Sequence, residues 1–239
     1  MSDHSTSIIL ALDTSGPVTG VALLAAHRLR ELQLPGGPEA SRQLLPQIVA
    51  LLADEALALD AVDAIAYGAG PGAFTGIRTS AAVAQGLGFV LDVDVLPVGT
   101  LDALASSVAV GDRRWLLTVI DARMGELYAA LYRATPGAGG WQTVLDPFVA
   151  AADRVLAEIA DAIDQRWDEL AVVGATTLLP GLSPLAQIHP ALGVTAGAIA
   201  RLARQMLAGG RRFAPEFALP VYVRNKVAQT LAERFPPQS

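Results

Sequence analysis

Apolar residues run almost unbroken over 8–12, 62–67, 115–120 and 170–173, with turn-forming residues on either side. Runs of that length and setting predict buried strands. Segments 18–24 and 28–34 read as two further strands joined tightly at Ala26-His27, and 126–132 and 141–145 as another two. A short strand is expected at 95–98. Elsewhere the period changes. Leu44, Leu45, Ile48, Leu51 and Leu52 recur at helical spacing, so 41–57 is expected to be a helix with Ser41 as its N-cap. Further helices are predicted at 77–91, with Thr75 as N-cap, and at 100–108 and 150–163. Helix 195–207 is stopped by Gly209-Gly210. Pro220-Val221-Tyr222-Val223-Arg224 and a helix over 226–234 close the chain.

Both halves read strand, Asp turn, strand, strand, helix, strand, glycine, helix. This is the order of duplicated ribonuclease-H-like lobes, the α/β architecture of the actin-like ATPase and sugar kinase (ASKHA) superfamily. The expected division is an N-terminal lobe over 1–108, a C-terminal lobe over 109–225, and a closing helix and tail over 226–239. In this architecture the first Asp turn and the later glycine turns face a nucleotide between the lobes.

Composition narrows the options. The chain has 239 residues, 52% of them hydrophobic, which is enough for a sizeable core. It holds no run of 18 apolar residues and no basic, signal-like start, so a cytoplasmic location is expected. Zero cysteines exclude thiolate metal sites and disulfides. A net charge of −6 disfavours tight direct binding to nucleic acid, which rests on neutralising phosphates.

The densest chemistry signal is the loop Gly68-Ala69-Gly70-Pro71-Gly72-Ala73-Phe74-Thr75-Gly76. It is not a P-loop, because no lysine follows; Lys226 is the only lysine in the chain. A dinucleotide fingerprint can be laid on Gly68, Gly70 and Ala73. The acid it needs, Asp92 or Asp94, then precedes Val95-Leu96-Pro97 instead of closing a second strand. The alternative is a tight turn that lets helix 77–91 pack on its sheet.

Asp13 and Thr14, with Gly70 and Gly72, are the candidates for vestigial nucleotide contacts. Asp13 and Asp121 sit where such folds hold Mg²⁺ or orient phosphate, and either could instead cap its own turn. Arg78 and Arg123 lie at glycine turns and read as solvated surface side chains. His4, His27 and His189 are scattered and form neither a triad nor a metal pair. No catalytic residue, metal or cofactor is therefore assigned. Ser80, Ala84 and Gly88 form an i, i+4, i+8 row of small residues. With Leu87 and the leucine face of helix 41–57, this row is the expected partner interface.

Five stretches resemble the TsaB (YeaZ) family. They are Ile8-Ile9-Leu10-Ala11-Leu12-Asp13-Thr14-Ser15, Ser41-Arg42-Gln43-Leu44-Leu45-Pro46, Gly70-Pro71-Gly72-Ala73-Phe74-Thr75-Gly76-Ile77-Arg78, Asp121-Ala122-Arg123-Met124-Gly125-Glu126-Leu127-Tyr128 and Pro220-Val221-Tyr222-Val223-Arg224. The resemblance implies a non-catalytic subunit in the synthesis of N6-threonylcarbamoyladenosine beside the tRNA anticodon. It implies a heterodimer with a TsaD-like transferase, a TsaE-like ATPase that joins the pair, tRNA contact only through the complex, and a possible homodimer of the free chain. Carrying the transferase's H-x-x-x-H metal motif across puts its histidines on Thr100 and Leu104. Its adenosine-site glycine pair falls on Gly174-Ala175. Many members of the family carry His where Gln43 stands. The alternatives are a phosphotransferase or ATPase of the same fold and, from the fingerprint, a dinucleotide-dependent oxidoreductase.

Overall fold

The computed structural model describes residues 6–109, 111–135, 140–189 and 193–223. The first sheet has the order β3-β2-β1-β4-β5. Its strands are β1 (Ile9–Asp13), β2 (Val18–Ala25), β3 (Arg28–Pro35), β4 (Ala64–Gly70) and β5 (Asp94–Gly99). β1 pairs antiparallel with β2 and parallel with β4, so the meander and the crossover meet at β1. Alternation along the strands splits the core in two. Leu10, Leu12, Ile65 and Tyr67 face helices α1 (Pro38–Asp54) and α2 (Phe74–Leu91). Ile9, Ala11, Ala64 and Ala66 face helix α5 (Ala196–Ala208) on the other side.

The second sheet has the order β10-β9-β6-β7-β8. It comprises β6 (Trp115–Arg123), β7 (Glu126–Thr135), β8 (Gly140–Ala151), β9 (Leu170–Gly174) and β10 (Gln187–Ile188). One face carries helix α4 (Ala152–Ala162), whose Val155 and Ile159 pack on Leu117, Val119 and Val172. The other face carries α3 (Thr100–Ser106) through Leu101 and Leu104, which touch Leu116, Tyr132 and Val173. The layers therefore run helix, sheet, helix, sheet, helix. This is the two-lobed α/β architecture read from the strand order.

Several expectations shift. α5 was expected in the C-terminal lobe, but it packs on the first sheet, because its row of alanines and Ile199 fits the face left by Ile9 and Ala11. The segment after it stays there too: the Val95 amide donates to the Phe213 carbonyl at 2.9 Å. α5 and the segment that follows it thus pack with β1–β5. α1 begins at Pro38 behind Gly37, ahead of the expected Ser41, because proline's fixed φ suits a first helical turn. α2 begins at Phe74, so Thr75 lies inside it and Ala73 holds the N-cap position without a side-chain bond. Thr195 does cap α5, accepting from the Ala198 amide at 3.1 Å. β10 was not anticipated in a stretch rich in proline and glycine. His4, Arg224, Lys226 and the helix expected over 226–234 lie outside the described residues.

Candidate functional site between the lobes

β1 ends in Asp13, and the turn Thr14-Ser15-Gly16 leads into β2. The Asp13 carboxylate is 1% exposed. It accepts from the Ser15 amide at 3.2 Å and from the Ser15 hydroxyl at 3.1 Å. Burial pushes its carboxyl up to about 7, against the opposing pull of the two Ser15 bonds, with the Glu31 charge adding to the rise. The carboxyl caps its own turn through these two bonds.

The glycine loop closes over this turn. The Thr14 hydroxyl donates to the Gly76 carbonyl, and the Ala73 amide donates to the Ser15 carbonyl at 2.8 Å. A methyl on Gly68 would enter the Asp13 carboxylate, and one on Gly76 would enter the Thr14 carbonyl. The glycines are required by protein packed against protein. Gly70, at φ 118°, lies under the Val221 carbonyl. Of the four expected nucleotide contacts, Asp13, Thr14, Gly70 and Gly72, only Gly72 lines the space between the lobes. The other three are engaged by neighbouring protein: Asp13 by Ser15, Thr14 by Gly76, and Gly70 by Val221.

That space is a cleft of about 1150 Å³. Its walls come from Ser15-Gly16 of the first lobe and Ile120–Met124 and Gly174-Ala175 of the second. Asp121 caps the β6–β7 turn, accepting from the Arg123 amide at 2.7 Å and pairing with its guanidinium at 3.1 Å. The Arg123 side chain is solvated, as expected, yet paired. Thr100 is fully buried and turns its hydroxyl onto the Pro71 carbonyl. Leu104 is 1% exposed and packs beside Gly174. Neither position offers a metal a donor. Among the described residues, no group of three histidine, aspartate or glutamate side chains could hold a metal ion.

The partner interface expected on α1 and α2 is turned the other way. Leu44, Ile48, Leu51, Leu52, Ser80, Ala84 and Gly88 are all buried in the first lobe's own core. Gly88 faces Val95 and Pro215, and Ser80 donates to the Gly68 carbonyl at 3.1 Å. Leu87 is half-buried against the same cluster. Leu45 alone of the expected residues is well exposed, at 50%. The outer surface of the two helices is instead formed by Leu45 and Val49 on α1 and by Phe89 and Val90 on α2. The small-residue row marks close approach correctly, but the close neighbours are β4, β5 and Pro215. Large apolar residues off that row were the sequence signal for the outer face.

Reasoning from sequence also missed a cluster at the start of α2. The Arg78 guanidinium stacks 3.8 Å from the centre of the Phe74 ring. It also donates to the Tyr222 hydroxyl at 2.8 Å. Tyr67 donates to the Leu219 carbonyl at 3.0 Å, and the Val221 amide donates to the Ala69 carbonyl at 2.8 Å. These bonds strap residues 219–222 across the first lobe. The site is thus a neutral cleft between two lobes whose nucleotide-facing turns are engaged with each other.

The fold and the site define a protein of the actin-like ATPase and sugar kinase architecture, built like a threonylcarbamoyltransferase. The family model described as TsaD, tRNA N6-adenosine threonylcarbamoyltransferase, matches residues 10–178. The chain is 31% identical to the tRNA threonylcarbamoyladenosine biosynthesis protein TsaB of Escherichia coli, over 92% of this chain and 96% of that protein. It is 40% identical to TsaB of Haemophilus influenzae over 50% of this chain and 51% of that one, so this match spans about half of the relative's length. The solved structure of YeaZ from Pseudomonas aeruginosa superposes with a TM-score of 0.76 at 33% identity, over 90% of this chain and 99% of that one. The chain belongs to the TsaB (YeaZ) family.

Proposed function

We propose that this chain is a non-catalytic subunit in tRNA threonylcarbamoyladenosine synthesis, which activates a TsaD-like transferase by forming a heterodimer with it. The observation that carries this reading is the closure of the Asp13 turn by the glycine loop. Ser15 satisfies the Asp13 carboxylate and the Gly76 carbonyl takes the Thr14 hydroxyl, so the turn that would face phosphate in a nucleotide-using protein of this fold is engaged with protein. Thr100 and Leu104, the positions onto which the resemblance carries the transferase's metal histidines, are both packed inside.

The contact surface in this reading is the outer face of α1 and α2, with Leu45, Val49, Phe89 and Val90 exposed on one side of the lobe. Exposed apolar residues on two helices that cover the same face of one sheet suit a helix-to-helix contact with a related partner. The free chain could use the same face for a two-fold homodimer. The TsaE-like ATPase would join the pair, and tRNA would be met through the complex. A net charge of −6 suits that indirect role. The work of the subunit is in the cytoplasm, where tRNA is modified.

Affinity capture with the tagged full chain tests the reading. Recovery of the transferase, together with loss of that recovery in a Phe89→Glu chain that keeps its circular dichroism spectrum, is expected. ATP turnover by the isolated chain that disappears on Asp13→Asn would replace this reading with the phosphotransferase one.

A further inference from the structure

We propose that segment 215–223 is part of the surface that binds the transferase, on the flank of α2 that faces away from α1. The proposal rests on the heterodimer reading and widens the face assigned to it. The segment runs beside α2 in the opposite direction. Near the end of the helix, the Gln85 side-chain amide donates to the Pro215 carbonyl at 3.0 Å, and Gly88 packs on the Pro215 ring. At its start, Arg78 donates to the Tyr222 hydroxyl at 2.8 Å, and the Phe74 and Tyr222 rings lie 5.8 Å apart. Tyr67 and Ala69 hold the middle, through the Leu219 carbonyl and the Val221 amide. Ala218 turns inward and is buried with Leu44 and Ile48 of α1 and Ala81 and Ala84 of α2. α1 covers β2 and β3, α2 covers β4, and Pro215–Phe217 lies beside β5. The three elements therefore form one layer on one face of the first sheet, with α2 in the middle.

On either side of Ala218, Phe217 and Leu219 point outward and are 63% and 62% exposed. Val221, Tyr222 and Phe74 continue this apolar strip along the helix. Phe89 lies one helical turn from Gln85, on the flank that meets Pro215, so the strip joins the face already assigned to the partner. The seven residues 217–223 carry no charge. Arg78 beside them is stacked 3.8 Å from the centre of the Phe74 ring. Aromatic residues, an arginine and few other charges are the composition of an interface core. Area favours the same occupant. A permanent complex covers upwards of about 1000 Å² on each partner. At roughly 200 Å² for a fully uncovered large side chain, Leu45, Val49, Phe89 and Val90 supply about half of that. The strip supplies about as much again. One partner seated on α2 and reaching over both flanks covers the whole apolar layer.

Binding of purified transferase to the immobilised full chain, followed by biolayer interferometry, tests the assignment. Leu219 is the residue to change, because the bond from Tyr67 goes to its main-chain carbonyl while its side chain points outward. Leu219→Asp is expected to keep the circular dichroism spectrum of the parent and to bind about tenfold more weakly or worse. Leu219→Met is expected to bind within about twofold of the parent. Parent-like binding by folded Leu219→Asp, with Phe89→Glu still impaired, would overturn this proposal and leave the heterodimer reading standing. An equal loss in Leu219→Asp and Leu219→Met would give the leucine a structural role and overturn it as well. Absence of binding by the parent would remove the heterodimer reading and this proposal together. If Leu219→Asp does not fold, Phe217→Asp takes its place with the same two outcomes.

Discussion

The Thr14 hydroxyl donates to the Gly76 carbonyl at 2.5 Å, tying the first turn of the chain to the first turn of α2. These two turns would have to separate to admit a phosphate. They are instead held by a hydrogen bond, by the Ala73 amide on Ser15, and by a glycine with no room for a side chain.

Gly76→Ala should therefore destabilise the first lobe by about 2–3 kcal/mol, the range for forced contact in a packed interior. Gly86→Ala should do the opposite. Gly86 is exposed on α2 with nothing near its would-be side chain, so alanine gains helix propensity of up to about 1 kcal/mol. Urea unfolding of both variants beside the parent checks the pair. Equal effects would mean that the contact between the turns is not what demands the glycine.

The pH dependence of stability should carry the mark of Asp13. Its folded-state pKa of about 7 lies above the unfolded value near 3.8. The folded state therefore holds the proton more tightly. Stability from this group is present at low pH and is lost as pH rises from about 4 to about 7, levelling beyond. Asp13→Asn removes the ionisation and should stabilise the chain at pH 8, by up to about 4 kcal/mol. Melting temperatures of both chains between pH 5 and pH 8 should diverge with rising pH. Parallel curves would place the Asp13 carboxylate in a more solvated setting.

Much of the fold was legible in the sequence, and the reasons are local. The runs at Ile9–Asp13 and Leu170–Gly174 are apolar on both faces because helices cover both sides of each sheet. α5 was the exception. Its alanine face would fit any buried sheet, and the choice of sheet rests on contacts with Ile9, Ala11 and Leu96, far away in sequence. The glycine loop showed that something approaches its backbone, but not that the neighbour is Asp13-Thr14-Ser15. Ser80, Ala84 and Gly88 likewise signalled close packing without its direction, since small residues suit a lobe's own core as well as a partner.

That direction has a consequence for mutagenesis. Ala84→Arg should unfold the first lobe, because Ala84 is fully buried among Leu12, Ile65 and Tyr67 in the core. Val49→Glu and Phe89→Glu alter side chains that are 63% and 59% exposed and should leave circular dichroism unchanged. Each should weaken recovery of the transferase at least tenfold in affinity capture. Normal pairing by both folded variants would remove the outer face of α1 and α2 from the interface.

The central claim is that this chain supports threonylcarbamoyl transfer without performing chemistry itself. The most direct measurement is reconstitution of tRNA modification from purified transferase, ATPase and this chain, with threonylcarbamoyl-adenylate as donor. Multiple turnover is expected only when the chain is present, and Asp13→Asn should support it as well as the parent, because Asp13 is buried and bonded to Ser15. Modification at the same rate without the chain, or a rate abolished by Asp13→Asn in a folded protein, would contradict the account.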